Sequence, residues 1–288
     1  MIIQNIDKQS KEKNSIKTYK ELKDSKYYAI DFYLSKSCNK SCHYCTAWTL
    51  EMRNLDVNMD FLRRTLEYIS PFPARINLLG GEPALIKNLD EVIAEIKKHD
   101  NLICAVLSNS LIRKKYPHVL EDPEIFYFEH LVLDFHKDKI EKLGNFDFFS
   151  ENENNNYNII IETPNYFEYK KNFDLEYINH KNSIFKAYNS RSPTYDIKFQ
   201  SPELNRRVCA AFPSVPVVDF EIEKIRHCSK KVINGSRQFD VTKENVYRMM
   251  TYDLFEFEDY CRTCTEAIPD WSRERILIMY ENNARALS

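Results

Sequence analysis

The chain is expected to fold as an α/β protein, a partial (β/α)6 barrel over residues 27–200 followed by a smaller C-terminal unit over 201–288. Three observations carry that expectation. Short apolar runs of strand length alternate with patterns of helical period as far as residue 200, and such alternation builds a parallel sheet from βαβ units. Polar, glycine and thiol residues recur where those strands would end. Beyond residue 200 come short extended pieces bearing Pro213 and Pro216, then a helical tail. About six strand–helix units fit before that change, too few to close the usual eight-stranded barrel.

Residues 1–26 are polar and lysine-rich, with helical spacing only at Ile16, Tyr19 and Leu22, and read as an N-terminal extension. From Tyr27 the run Tyr-Tyr-Ala-Ile-Asp-Phe-Tyr-Leu34 is apolar enough for a strand and leads into a loop with three cysteines. Asn58 can then cap a helix whose Phe61, Leu62, Leu66 and Ile69 share a face. A buried strand at 76–79 ends on Gly80-Gly81-Glu82-Pro83, and Leu89, Val92, Ile93 and Ile96 repeat at the spacing of an amphipathic helix. Further strands are expected at 102–107, 131–133, 158–161 and 197–199. Ligands of parallel α/β sheets sit at the carboxyl ends of the strands. Here those ends carry the cysteine loop, Gly80-Gly81-Glu82, Ser108-Asn109, Asp134-Phe-His136 and Glu162-Thr163.

Composition narrows the function. Lys and Arg total 41 against 43 Asp and Glu, so no overall positive field draws the protein to nucleic acid or anionic lipid. The longest apolar stretches fall far short of the roughly 20 residues that span a bilayer. The N-terminus lacks the apolar core of a secretory signal. A cytoplasmic protein with no membrane and no nucleic-acid partner is expected, and its selectivity should come from a pocket. The eight cysteines do not read as a disulfide framework, which belongs to oxidising compartments and shorter chains.

Seven of those cysteines form two sets. Cys38-Asn-Lys-Ser-Cys42-His-Tyr-Cys45 places three thiols within eight residues. Three thiolates can hold a four-iron cluster and leave one iron without a protein ligand, where a small molecule can bind. A structural zinc site more often pairs CxxC units, although His43 or a remote residue could complete a tetrahedron here. The second set, Cys209, Cys228, Cys261 and Cys264, can saturate a second cluster or hold zinc, and the ligand types leave both open. Cys209 and Cys228 flank a β-forming segment, and Cys261-Arg-Thr-Cys264 follows a helical run over 246–260, so one hairpin and one helix end would gather the four sulfurs. Cys104 lies within a strand and reads as a core residue. The chain has only four glycines, and two adjacent ones after a buried strand suggest a backbone requirement, with Glu82 as an acceptor for a cationic amine.

These residues resemble the radical S-adenosylmethionine (SAM) enzymes. Cys38-x3-Cys42-x2-Cys45 matches the superfamily's cluster motif, including the aromatic Tyr44 before the third cysteine. Gly80-Gly81-Glu82-Pro83 matches its motif for the methionyl amino group of SAM. Leu107-Ser108-Asn109-Ser110 is similar to its third-strand Thr-Asn-Gly segment, with serine in place of both threonine and glycine. The resemblance implies that a 4Fe-4S cluster on three cysteines binds SAM through its open iron. One electron then cleaves SAM to methionine and a 5′-deoxyadenosyl radical, which takes a hydrogen atom from substrate. It also implies a flavodoxin or ferredoxin as electron donor.

The second cysteine set is similar to the twitch form of the SPASM extension, whose four cysteines ligate one auxiliary 4Fe-4S cluster, as in the radical SAM dehydrogenase of an aminocyclitol pathway. With an auxiliary acceptor near the substrate, the resemblance implies a net oxidation of a polar small molecule: an amino sugar, cyclitol or nucleotide sugar. His136, Glu162 and Arg207 are candidates for the base that deprotonates it. Two other readings stand beside this one. One is modification of a ribosomally made peptide, though 26 polar residues are short for a leader-binding domain. The other is a non-catalytic zinc module. The molybdopterin-precursor cyclase also has a twitch-like domain but ends in Gly-Gly, whereas this chain ends Asn283-Ala-Arg-Ala-Leu-Ser288.

Overall fold

The computed structural model describes residues 27–40, 55–128, 216–226 and 238–250 with their side chains. It gives strand backbone alone over 129–132, 157–163, 183–187, 207–209 and 267–269. Six parallel strands follow one another in both chain and space: β1 (Tyr28–Tyr33), β2 (Ala74–Leu79), β3 (Leu102–Ser108), β4 (Ile125–Val132), β5 (Tyr157–Thr163) and β6 (Ser183–Ala187). The crossovers described between them are helical: α1 (Met59–Ile69) and α2 (Leu89–Lys97), then the short α3 (Ile112–Lys115) and α4 (His118–Glu121) before β4.

The helix over 59–69 begins where its cap predicts. The Asn58 side-chain oxygen accepts the N–H groups of Asp60 at 3.1 Å and Phe61 at 3.2 Å, satisfying two of the donors that a helix start leaves without partners. Phe61, Leu62, Leu66 and Ile69 then bury one face. They pack with Ile30 and Phe32 of β1, Ile76 and Leu78 of β2, Cys104 and Val106 of β3, and Leu89, Val92 and Ile96 of α2 in one core. Each such side chain contributes about 1.5–3 kcal/mol of burial. Cys104 is thus a core residue, as its strand position suggests.

Because side chains alternate across a strand, the opposite face has its own character. Ile103, Ala105, Phe126 and Phe128 cluster there. Beside them Asn77 donates to the Asp31 carboxylate at 2.8 Å across the paired β1 and β2, and Asp31 and Asn77 are both buried.

The sheet extends past β1 on its other side. β8 (Val217–Asp219) runs parallel to β1 and turns back into β9 (Lys224–Arg226), which pairs with β10 (Gln238–Asp240) to complete nine strands among the described residues. The segment expected to supply a hairpin between Cys209 and Cys228 does so, and its Phe220 and Ile225 enter the same core as Phe32 and Phe61. Val246, Met249 and Met250 of α5 (Lys243–Met250) join them. Separately, β7 (Arg207–Cys209) pairs antiparallel with β11 (Ala267–Pro269). One sequence expectation differs, at β4. β4 begins at Ile125, earlier than 131, because Ile125 and Tyr127 pack on one face and Phe126 and Phe128 on the other, before Glu129 and His130 break the apolar run. The sixth strand is Ser183–Ala187, with only Ile184 and Phe185 as apolar signal; residues 197–199 lie outside the described ones. No helix among the described residues is long and apolar enough to cross a membrane.

Candidate functional site

The first three strand ends meet at one edge. The parallel ladder of β1 and β2 continues past both strands: Leu34 N–H donates to Leu79 O at 2.8 Å, Gly81 N–H to Ser35 O at 2.6 Å and Glu82 N–H to Ser37 O at 2.8 Å. The segment 35–37 therefore lies directly across the glycine pair. A Cβ on Gly80 would stand 2.3 Å from Ser35 O, and one on Gly81 would stand 2.1 Å from Ser37 O and 2.5 Å from Lys36 O. Gly80 also has φ +146°, which side chains rarely adopt. The backbone requirement expected of this pair is real, and what approaches it so closely is the chain's own approach to Cys38.

Glu82 follows, 2% exposed. Its carboxylate accepts the Ser108 hydroxyl at 2.7 Å and the Ala84 N–H at 3.1 Å on Oε1, and the Asn109 N–H at 2.7 Å on Oε2. It thereby joins the exit of β2 to the exit of β3. Burial pushes the Glu82 carboxyl above its ordinary range, opposed by hydrogen bonds from Asn109, Ser108 and Ala84 and by the Lys40 ammonium.

Asn109 carries the contact on to the cysteine loop. Its Nδ2 donates to Asn39 Oδ1 at 2.9 Å and reaches Cys38 Sγ at 3.5 Å. Lys40 N–H also donates to that sulfur, at 3.4 Å, while Lys40 Nζ donates to Asn109 O at 2.8 Å. Donors converging on a sulfur suit a thiolate ligand. Asn109 Oδ1 is buried with no hydrogen-bond partner among the described residues, an acceptor that an N–H or O–H of a bound ligand would satisfy. The cluster and SAM that the motif implies therefore fit this edge.

Glu221, in the β8–β9 turn, grips the same exit segment. Its Oε1 accepts Lys36 N–H at 2.6 Å and the Ser35 hydroxyl at 3.2 Å. Below it Asp219 pairs with Arg226 at 2.9 Å, and both side chains are almost wholly buried. Burial raises the Asp219 carboxyl, and the Arg226 guanidinium opposes that rise.

Of the residues expected at the site, the structure gathers Cys38, Gly80, Gly81, Glu82, Pro83, Ser108 and Asn109 at adjoining strand ends. Pro83 begins a short 3-10 turn. Glu162 stands near the end of β5, in register with Val132 and Lys186. Arg207 and Cys209 lie on β7 opposite Pro269 and Ala267. Cys42, Tyr44, Cys45, His136, Cys228, Cys261 and Cys264 lie outside the described residues. Sequence reasoning missed Lys40, Ser35 and Glu221. Lys40 sits within the cysteine motif and could have been singled out as a cation there; Glu221 has no local signal.

No protein-family model matches the chain. In sequence it is similar to the GTP 3',8-cyclase of Helicobacter pylori strain J99, 33% identical over 112 residues, which is 35% of this chain and 34% of that protein. The GTP 3',8-cyclase of strain HPAG1 is 33% identical over 105 residues, 33% of this chain and 32% of the relative. The chain thus spans about a third of the length of the curated relatives it matches. In structure it is similar to Streptococcus suis SuiB bound to S-adenosylmethionine, with a TM-score of 0.51 and 15% identity over 83% of this chain and 70% of that one. It is also similar to anSMEcpe with bound AdoMet and Cp18Cys peptide, with a TM-score of 0.51 and 12% identity over 88% and 99%.

Cysteine motif, parallel sheet and sequence match define one class: the chain resembles the radical SAM enzymes. Within that class the likeness extends to proteins as different as a GTP 3',8-cyclase and SuiB, so it speaks to shared architecture rather than to one member's reaction.

Proposed function

We propose that this chain is a radical SAM enzyme of the SPASM/twitch subgroup, built on a partial barrel and oxidising a polar small molecule. One observation carries the reading: at three neighbouring strand ends Asn109 is bound to Cys38, Ser108 and Asn109 to Glu82, and Gly81 to the segment that leads to Cys38. Cys38, Cys42 and Cys45 would hold a 4Fe-4S cluster that, with SAM bound, supplies a 5′-deoxyadenosyl radical to take a hydrogen atom from the substrate. Gly80 and Gly81 let the chain pass close enough to set Cys38 at the edge. Glu82 fixes the β3 exit, and Asn109 Oδ1 offers an acceptor to the bound nucleotide.

Cys209, Cys228, Cys261 and Cys264 are the proposed ligands of an auxiliary cluster, and an electron acceptor there suits a net two-electron oxidation of an amino sugar, cyclitol or nucleotide sugar. His136, Glu162 and Arg207 are the residues proposed to take the substrate's proton. A cytoplasmic flavodoxin or ferredoxin is the proposed electron donor.

Anaerobic purification tests this directly. About eight irons with matching sulfide, and SAM cleavage that is lost in Cys42→Ala, are expected. A colourless protein holding two zinc ions and inert to SAM would sink the reading in favour of a zinc module. Turnover with a peptide rather than with the polyols would move the substrate class to that of the ligand in anSMEcpe.

A further inference from the structure

Resting on the reading of Cys38 as a cluster ligand, we propose that Asn109 sets the cluster's reduction potential by donating its side-chain N–H to the Cys38 sulfur. The geometry holds that carboxamide from several sides. The Asn109 backbone N–H is fixed by Glu82 Oε2 at 2.7 Å, its backbone carbonyl by Lys40 Nζ at 2.8 Å, and its Nδ2 by Asn39 Oδ1 at 2.9 Å. So restrained, Nδ2 stands 3.5 Å from Cys38 Sγ, beside the Lys40 N–H at 3.4 Å.

An amide Nδ2 has two hydrogens, so it can serve Asn39 and Cys38 together. Reduction adds an electron to the cluster and raises the negative charge on its thiolates. A donor aimed at one of them therefore stabilises the reduced form more than the oxidised form and lifts the potential. Glu82 takes part as a positioning residue, because its carboxylate holds the Asn109 backbone. The arrangement uses the nitrogen end of the carboxamide for the sulfur and leaves the oxygen end to a ligand.

The experiment compares full-length protein with Asn109→Leu, each reconstituted anaerobically and poised at a series of potentials. The reduced-cluster EPR signal is read without SAM, and the signal that is absent from Cys38→Ala marks the cluster on Cys38. Loss of one donor to a charged sulfur is expected to lower the reduced-to-oxidised ratio at a fixed potential on the order of tenfold, a shift of about 59 mV to the negative for a one-electron couple. An unchanged potential in a variant with full iron content would overturn the assignment. A merely structural role would change iron content or stability and leave the potential in place.

Should Asn109→Leu fail to hold iron, Asn109→Asp reads the same quantity. It keeps the shape, removes the N–H and adds a negative charge, so a further shift in the same direction is expected and a static potential again overturns the proposal. A wild-type protein that binds no cluster on Cys38 would remove the underlying reading as well, an outcome distinct from a normal cluster whose potential ignores Asn109.

Discussion

Gly81 stands so close to Ser37 that a Cβ on it would lie 2.1 Å from the Ser37 carbonyl oxygen, with the Lys36 carbonyl oxygen at 2.5 Å. Both obstacles are backbone and cannot rotate away. Gly81→Ala is therefore expected to force apart the exits of β1 and β2 at a cost on the order of 3 kcal/mol. Urea unfolding and iron content should fall together; a variant as stable and as iron-rich as the parent would contradict the close approach.

Glu82 predicts a pH dependence. Its folded-state carboxyl is raised above the ordinary value of 4.5, so the native state holds a proton that the unfolded chain releases. The associated stability is fully present below 4.5 and is lost as pH rises through the raised value. Glu82→Gln removes that decline. It also leaves one backbone N–H facing an amide donor, costing about 1–3 kcal/mol. Stability measured against pH for the two proteins, and subtracted, should show the slope; parallel curves would rule it out.

The Asp219–Arg226 pair is buried, so each charge depends on the other as its counter-charge. Arg226→Leu leaves a buried carboxylate without its counter-charge and is expected to cost about 3–5 kcal/mol. Adding Asp219→Asn should restore part of the loss, because it removes the unpaired charge while its side-chain oxygen still accepts the Glu221 N–H. If the double variant is as unstable as the single one, the pair is not what holds β8 against β9.

A smaller effect is expected at the start of α1. Asn58→Ala removes the acceptor for two helix-start N–H groups and the 2.7 Å bond from Asn58 Nδ2 to Glu223. A loss of about 1 kcal/mol is the usual worth of such a cap. A fall in Tm without loss of iron is the expected pattern, and an unchanged Tm would refute it.

Local rules made much of this legible. Asn58 and the spacing of Phe61, Leu62, Leu66 and Ile69 specify α1 within one turn of sequence, and the adjacent glycines in a chain with so few announce a backbone constraint. What they could not announce is the partner. Ser35, Lys36 and Ser37 cross the glycines only because β1 and β2 pair in register, a long-range fact. Glu82 reads as an acceptor for an amine, and its carboxylate also accepts from Ala84 beside it and from Ser108 and Asn109, which the β3 exit brings to it. Glu221 is one acid among many until the late hairpin is seen beside β1. Ser183–Ala187 becomes a strand through backbone pairing with β5, with little apolar pattern of its own.

The grip of Glu221 on Ser35 spans 186 positions of chain. On the ribosome, at the usual rate of synthesis, Glu221 is made roughly 10–40 s after Ser35. For that interval the segment leading to Cys38 lacks its Glu221 contacts. The entry to the proposed cluster seat is therefore completed only once the β8–β9 turn has been made.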